Sequence, residues 1–287
     1  MICACSEAFG QNTDLARVEY TYIPQGKSEN SVSRFRTFVN VPFRLNWEGS
    51  YLIAGFEYRN LDLDFEDAVP FETTQLDRFQ LFRTSVSYTF KMKNNWRFAA
   101  KVGAELNSNF ETDKITNRDI NFTGAAYLIR DRSGDSIAKP DRLIIGLNYA
   151  TTAGRPFPIP VINYYKKFKP NWSYSVGTPK TNIKYFAGKK HALQGFITLD
   201  GFFSNIQNNL VIPKTDGSSV TGENISMTLV FGGLGYEYYF TKHLLFYAYG
   251  GYTVFNEIRV RDGKRNNLYT INDANTYYLR SGIKLKI

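Results

Sequence analysis

Apolar and polar residues alternate along most of this chain, with the period of two that is typical of β-strands whose two faces differ. Between Trp96 and Leu106 the even positions are apolar or small, whereas the odd positions carry Arg97, Lys101 and Glu105. The same alternation recurs over 35–45, 82–90 and 277–287. No segment of about ten or more residues keeps a clean helical period. The pattern therefore predicts an all-β protein built from long strands.

The connections between these strands alternate between two kinds. Short turns lie at 46–49, 93–95, 169–171, 188–190 and 241–243, and long polar loops lie at 25–31, 64–75, 107–118, 207–222 and 262–267. Aromatic residues flank several short turns, as in Asn95-Trp96 and Asn171-Trp172. Short turns at one end, long loops at the other and an aromatic rim are typical of outer-membrane barrels.

The pattern predicts fourteen strands, at 14–24, 32–46, 49–63, 75–92, 95–108, 118–131, 141–153, 157–168, 171–178, 181–187, 190–206, 223–241, 243–261 and 269–286. The predicted fold is therefore a single domain at 12–287, a transmembrane antiparallel up-and-down β-barrel. Prolines interrupt the region 154–187, so a barrel of twelve strands is the alternative. A soluble β-sandwich or solenoid would have shorter strands, typically of about 5–6 residues.

Composition removes several other classes of protein. The mean hydropathy is −0.34 and no apolar run approaches the ~20 residues of a membrane helix. A barrel remains compatible, because its lipid-facing and lumen-facing residues alternate and their hydropathies cancel. The net charge of +9 is spread along the whole chain without a basic run. We therefore expect no nucleic-acid partner.

Both cysteines, Cys3 and Cys5, lie in the first residues of the chain. The short apolar stretch 1–11 ends in small residues and is interpreted as a signal-peptide remnant or a disordered leader. Residues 2–5 also resemble a lipobox, which would make Cys5 a lipidated terminus. Either interpretation takes the chain out of the cytoplasm, and neither leaves a cysteine in the body for a disulfide or a thiolate metal site.

Two stretches carry a resemblance to a known family. The first is Asn-Val-Pro-Phe-Arg-Leu at 40–45 with the apolar strand 51–58, and the second is 157–165 followed by Trp172 and by 176–180. In these patterns the chain resembles, from about residue 14 onward, a family of outer-membrane β-barrels of unknown function that is common in Bacteroidota. The resemblance implies a barrel in the bacterial outer membrane, but no activity and no site residues. One departure is the end of the chain, Lys-Leu-Lys-Ile at 284–287, where many outer-membrane barrels end on an aromatic residue.

Candidate chemistry is sparse. The only histidines, His191 and His243, lie at short turns, and no nucleophile elbow, zinc-protease or phosphate-loop motif is present. We therefore predict no enzyme, no catalytic residue and no cofactor. The carboxylates at 62–67 match no calcium loop, so we predict no metal site there. They fit an outer loop that meets lipopolysaccharide through bridging cations.

The polar face of the strands predicts the lining of the lumen. These residues are Arg34, Arg36, Arg44, Glu57, Arg59, Arg83, Arg97, Lys101, Glu105, Arg142, Asp200, Glu237 and Arg280. Basic residues exceed acidic ones in this set. Cross-strand ion pairs that brace a closed barrel are one interpretation, since lumen charges need partners. A water-filled pore that favours anions is the other.

These observations favour a passive, porin-like pore for small solutes, with a preference for anions. The alternative is a non-conducting accessory subunit of an outer-membrane assembly, export or anchoring complex. The expected partners are outer-membrane lipid and lipopolysaccharide, with a protein partner in the second case.

Overall fold

The computed structural model describes residues 14–47, 49–112, 114–132, 139–151, 154 and 156–286. The leader predicted at 1–11, with Cys3 and Cys5, lies outside these residues. The strands are β1 (Asp14–Pro24), β2 (Ser31–Arg44), β3 (Tyr51–Asp64), β4 (Arg78–Lys91), β5 (Trp96–Ser108), β6 (Ile120–Arg132), β7 (Asp141–Ala150), β8 (Phe157–Lys169), β9 (Trp172–Gly177), β10 (Lys180–Ala187), β11 (His191–Pro213), β12 (Ser219–Tyr239), β13 (Leu244–Arg261), β14 (Asn267–Asn272) and β15 (Tyr277–Lys286).

The strands form one closed antiparallel barrel. From β1 to β14 each strand pairs with the next one in the chain, and β15 pairs with β13 and with β1, which closes the sheet. Strands β14 and β15 both pair with β13 and are two parts of one barrel strand, so the barrel has 14 strands. This confirms the predicted fold class. The twelve-strand alternative is wrong, because β8, β9 and β10 are all paired on both sides.

Helical structure within the described residues is limited to short 3-10 turns, including Thr74–Leu76 and Asn117–Asp119. None of the helices found in this part of the chain is long and apolar enough to cross a membrane.

Burial alternates along the strands as the hydropathy pattern predicts. In β1, Glu19 and Thr21 are buried, whereas Val18 and Tyr20 are each 50% exposed. Every barrel strand presents exposed apolar side chains on its outer face, among them Val18, Val39, Phe56, Val86, Val102, Leu128, Leu147, Ile162, Val176, Ile183, Ile197, Leu234, Tyr252 and Ile283. The polar and charged residues of the same strands are therefore directed to the barrel interior.

The β11–β12 hairpin differs from the prediction. The long loop expected at 207–222 is instead a continuation of both strands, joined by residues 214–218. Asn205 pairs with Asn224 and Leu210 pairs with Gly222, so four residues of β11 bulge out opposite one residue of β12. Asn208 and Asn209 have φ values of 64° and 55°. Asparagine tolerates this left-handed conformation better than most residues, and these polar residues therefore form a bulge and not a loop.

Candidate functional site: the barrel interior

The loop ends of β11 to β14 form a cap over the barrel interior. We define the cap as residues 203–213, 219–227, 256–261 and 267–272. Its central contact is between β11 and β5, where Asn205 pairs with Ser108 in a parallel bridge. Five strands separate β5 from β11 on one side of the barrel, and more on the other. Two such strands can touch only if one of them crosses the opening.

Polar side chains fasten the cap to the opposite wall. Asn107 donates from Nδ2 to the carbonyl of Phe203, and its Oδ1 accepts from Ser204 Oγ at 2.8 Å. Asn205 Nδ2 donates to Asp119 Oδ1 at 2.7 Å. We call the buried group Asn107, Ser108, Asn109, Asp119, Asn205 and Gln207 the latch.

Gln207, in the β11 bulge, is the centre of the latch. Its Oε1 accepts from the backbone N–H and the hydroxyl of Thr112, both at 2.9 Å. Its Nε2 donates to the carbonyl of Lys114 at 3.1 Å and to Asp119 Oδ2 at 2.8 Å. The side-chain amide therefore forms as many hydrogen bonds as it has donors and acceptors, which is the condition for burying it without a penalty.

An apolar cluster, to which the cap itself contributes, fills the interior at this end of the barrel. It joins residues from both halves of the barrel, including Ile23, Val32, Leu61, Leu76, Phe79, Phe202, Ile206, Leu210, Leu229, Phe231, Ile258 and Tyr278. Phe231 stacks on Tyr278 with ring centroids 3.7 Å apart, and Phe79 lies 6.2 Å from Phe202. In β11 all residues from 201 to 207 are buried, in contrast to the alternation of the other strands. This segment is therefore covered on both faces.

Below the apolar cluster, arginines and carboxylates cross the interior. Asp200 in β11 accepts two hydrogen bonds from Arg34 in β2, at 3.1 and 2.7 Å. Arg280 and Tyr278 in β15 also donate to Asp200. Since β2 and β11 are not neighbours in the sheet, the Arg34–Asp200 pair spans the interior. Arg280 also lies 3.7 Å from Glu19.

A second ionic cluster lies on β2 to β5. Glu57 accepts from Arg36 at 2.7 Å, from Arg59 at 2.5 Å and from Arg83 at 2.9 Å. Arg83 also donates to Glu105 at 2.8 Å. All of these side chains are at most 20% exposed. Alternation places them on one face, and the strand register brings them into contact, because Glu57 pairs with Arg83 and Arg83 with Glu105.

A third cluster surrounds Glu237 near the turn end. Lys184 Nζ lies 2.9 Å and 3.0 Å from its two carboxylate oxygens, and Lys284 lies 3.9 Å away. Tyr239 and Tyr249 each donate to this carboxylate at 2.8 Å. The prediction did not include the lysines or tyrosines. Lys184 lies in the region interrupted by prolines, and tyrosine fits both faces of an alternating pattern.

The remaining predicted lumen residues have separate positions. Arg97 is 3% exposed and donates to the carbonyl of Gly49 at 2.9 Å. Arg142 pairs with Asp131 on the neighbouring strand at 2.6 Å. Lys101 lies beside the Glu57 cluster, whereas Arg44 is exposed at the last residue of β2.

The predicted chemistry of the turns and loops can also be placed. His191 and His243 are exposed at the turn end, the end opposite the cap. Among the described residues, no group of three or more His, Cys, Asp or Glu side chains is arranged to hold a metal ion.

The fold and the interior together define a closed β-barrel with a charged, capped lumen. The chain belongs to the family described as "Domain of unknown function (DUF6268)", which matches residues 25–286. No curated protein gives a significant match.

Three solved barrels illustrate the similarity to known structures. The NanC porin is 11% identical with a TM-score of 0.39, over 95% of this chain and 100% of its own. LpxR from Salmonella typhimurium is 7% identical with a TM-score of 0.39, over 95% and 100%. The Pseudomonas putida toluene transporter TodX is 8% identical with a TM-score of 0.39, over 98% and 96%.

Proposed function

We propose that this protein is an integral barrel of the bacterial outer membrane that does not conduct in this conformation, and that it acts as an accessory or anchoring subunit. The apolar outer face supports the membrane location. Exposed apolar residues on all barrel strands form a continuous belt, whereas soluble monomers rarely expose a patch larger than a few hundred Å². Such a belt matches the lipid-facing surface of a transmembrane barrel.

Aromatic clusters at the turn end support the same location. Trp172 lies 4.8 Å from Tyr185, and Phe168 lies 5.7 Å from Tyr174, as measured between ring centroids. Amphipathic rings of this kind gather where lipid head groups meet water. Exposed carboxylates at the end of β3 and in the loop that follows it, such as Asp64 and Glu66, suit cation-bridged contact with lipopolysaccharide at the loop end.

The crossing of β11 onto β5 is the observation that carries the non-conducting role. A solute that entered from the loop end would meet the latch, then the apolar cluster, then the Arg34–Asp200 pair. An apolar constriction alone can block ions by excluding water. Three successive barriers of different chemistry favour a barrel whose lumen is braced for stability over one that passes solutes.

A gated pore is the second candidate, and the character of the latch favours it. Where the cap meets β5 and the turn Asn117–Asp119, side-chain hydrogen bonds hold it, and not a continuous strand ladder. Each such bond contributes only about 0.5–1.5 kcal/mol net. A cap held in this way can be released by a ligand or a partner. The basic interior below it would then favour anions.

Planar-bilayer conductance separates the two candidates. We would compare the refolded wild type with Gln207→Ala, which removes the centre of the latch, and with Asn117→Ala, an exposed residue of the β5–β6 connection, as the control. The accessory role predicts no current from any of the three proteins. Current from Gln207→Ala alone would establish the gated pore, and its reversal potential in a KCl gradient would give the selectivity. Steady current from folded wild type would contradict the closed lumen.

A further inference from the structure

A small cavity lies inside the barrel, next to the Glu57 cluster. It has a volume of about 60 Å³ and its lining includes Arg36, Asn40, Gly55, Ser85 and Lys101. Asn40, Gly55 and Ser85 form one row across β2, β3 and β4, and this row lies one step nearer the turn end than Glu57 and Arg83. Lys101 belongs to the next row, where it pairs with Ser87.

The glycine in this row makes room for the cavity. A Cβ atom at Gly55 would lie 2.6 Å from Ser85 Oγ and 2.8 Å from Asn40 Oδ1. Both distances are shorter than a van der Waals contact, so these two side chains would have to move. Any other residue here would fill the space between β2 and β4. The cavity is therefore built by the sequence at a position where alternation would otherwise direct a side chain inward.

Two donors at the cavity have no partner. In the described part of the chain, neither Lys101 Nζ nor Ser85 Oγ forms a hydrogen bond or an ion pair. The nearby carboxylate of Glu57 is already occupied by three arginines. Lys101 is half-buried beside this cluster and forms no ion pair with it, so its ammonium group keeps its capacity to donate to an anion.

The balance of charge around the cavity is positive. Three cations, Arg36, Arg83 and Lys101, line it together with one carboxylate, Glu57, and Arg83 is also paired with Glu105. Arginine forks and lysine are the side chains that most often recognise chloride-sized and phosphate-sized anions. One site thus combines excess positive charge, unused donors and space.

We propose that this cavity binds a small inorganic anion of the class of phosphate, sulfate or chloride, held by Lys101 and Ser85. One water needs ~10–15 Å³ by this measure of volume, so the cavity has room for an ion of this size. The Arg–Glu cluster borders the cavity on its loop side, and the anion enters from the turn end. The site does not depend on whether the barrel conducts.

Lys101→Met is the central test, with inorganic phosphate as the probe. Methionine keeps most of the length of the side chain and removes a charge that forms no ion pair, so the variant should fold, which circular dichroism would check. In calorimetric titration of detergent-purified protein, the wild type should bind phosphate and Lys101→Met should bind at least tenfold more weakly. Ser85→Ala should lose affinity by a few fold. Lys190→Met, an exposed turn residue, should bind like the wild type.

Thermal unfolding gives an independent measurement. A ligand that binds only the folded state raises the unfolding temperature. Phosphate should therefore raise it for wild type and Lys190→Met but not for Lys101→Met, and parallel series with sulfate and chloride would show which anion the site prefers. Equal shifts in all variants would indicate a general salt effect and overturn the proposal. Absence of saturable binding to the wild type for all three anions would overturn it as well.

Discussion

The two sides of the barrel differ in height. Strands β7, β8, β9 and β10 contain 10, 13, 6 and 8 residues, whereas β11, β12 and β13 contain 23, 21 and 18. We call β7 to β10 the low wall and β11 to β13 the tall side. The tall side extends beyond the low wall, and β11 crosses the opening to β5. The connection after β7 contacts the tall side at β12. Gly154 in this connection lies so close to β12 that a Cβ atom on it would be 2.8 Å from the carbonyl oxygen of Met227.

Unequal strand lengths can therefore close a barrel without a separate plug. The excess length of the tall hairpin supplies the residues that fill the interior, and the missing length of the low wall leaves the gap that they enter. A glycine stripe crosses the tall side just below the cap, at Gly195, Gly232, Gly233, Gly250 and Gly251. Glycine within strands marks sharp bends of barrels, and this stripe lets the tall side lean inward.

Among the substitutions considered for the tall side, Phe231→Ala should destabilise the protein most. This ring is 1% exposed and stacks on Tyr278, so its removal leaves a cavity in the apolar cluster. We expect a loss of about 3–5 kcal/mol in the free energy of unfolding, measured with urea in detergent micelles. Leu234→Ala, on the outer face at 75% exposure, should cost much less. Equal losses would show that the cap interior is not packed around Phe231.

Gly233→Ala tests the glycine stripe. A Cβ at Gly233 would lie 2.2 Å from the carbonyl oxygen of Gly250, whereas a Cβ at the adjacent Gly232 would lie 3.5 Å from that of Phe196. We expect Gly233→Ala to lower the free energy of unfolding by about 1–3 kcal/mol, because the strands must move apart. Gly232→Ala should be nearly neutral in the same urea titration. Equal effects of the two substitutions would contradict the claim that the close approach of the strands requires glycine at 233.

The latch should respond to acid through Asp119. Burial acts to raise the pKa of this carboxyl group, but donation from the Thr116 backbone and from Gln207, Ser108 and Asn205 outweighs it and lowers the pKa. The ordinary pKa of an aspartate is about 3.9. The hydrogen-bonded carboxylate thus stabilises the folded latch above that value, and the stabilisation is lost as the pH falls through the lowered pKa.

Thermal unfolding between pH 7 and pH 3 would measure this effect, with Asp119→Asn as the comparison. The variant should unfold at a lower temperature than the wild type at pH 7. The difference between the two unfolding temperatures should become smaller as the pH falls. A gap that stays constant with pH would mean that the charge on Asp119 does not hold the latch. Asp216 is an exposed aspartate in the β11–β12 connection, and Asp216→Asn provides the control for a carboxylate outside the latch.

Much of the wall could be predicted from the sequence. In β2 to β5, alternation directs Arg34, Glu57, Arg83 and Glu105 to one face, and the structure places all four in the interior. The same alternation explains the exposed apolar belt. It works there because each side chain responds to its own position in a strand with two different faces.

The cap could not be predicted in this way. In β11 the residues 201–207 are buried on both faces of the strand, so the polar residues there do not alternate with apolar ones. The run Gln207-Asn208-Asn209 has the composition of a loop, yet it forms a bulge that reaches the opposite wall. A local pattern carries no information about a partner on a distant strand.

The pattern along the chain was thus enough to predict an antiparallel barrel with an apolar exterior and a polar interior face, with fourteen strands favoured over twelve, because a period of two requires only local chain geometry. Which interior charges meet, and whether the interior is closed, depends instead on the folded sheet as a whole. Arg34 and Asp200 are 166 residues apart, and Asn205 reaches Ser108 across five intervening strands. Such contacts depend on the unequal heights of the two sides and on the bend of the tall one, which arise only when the sheet closes on itself.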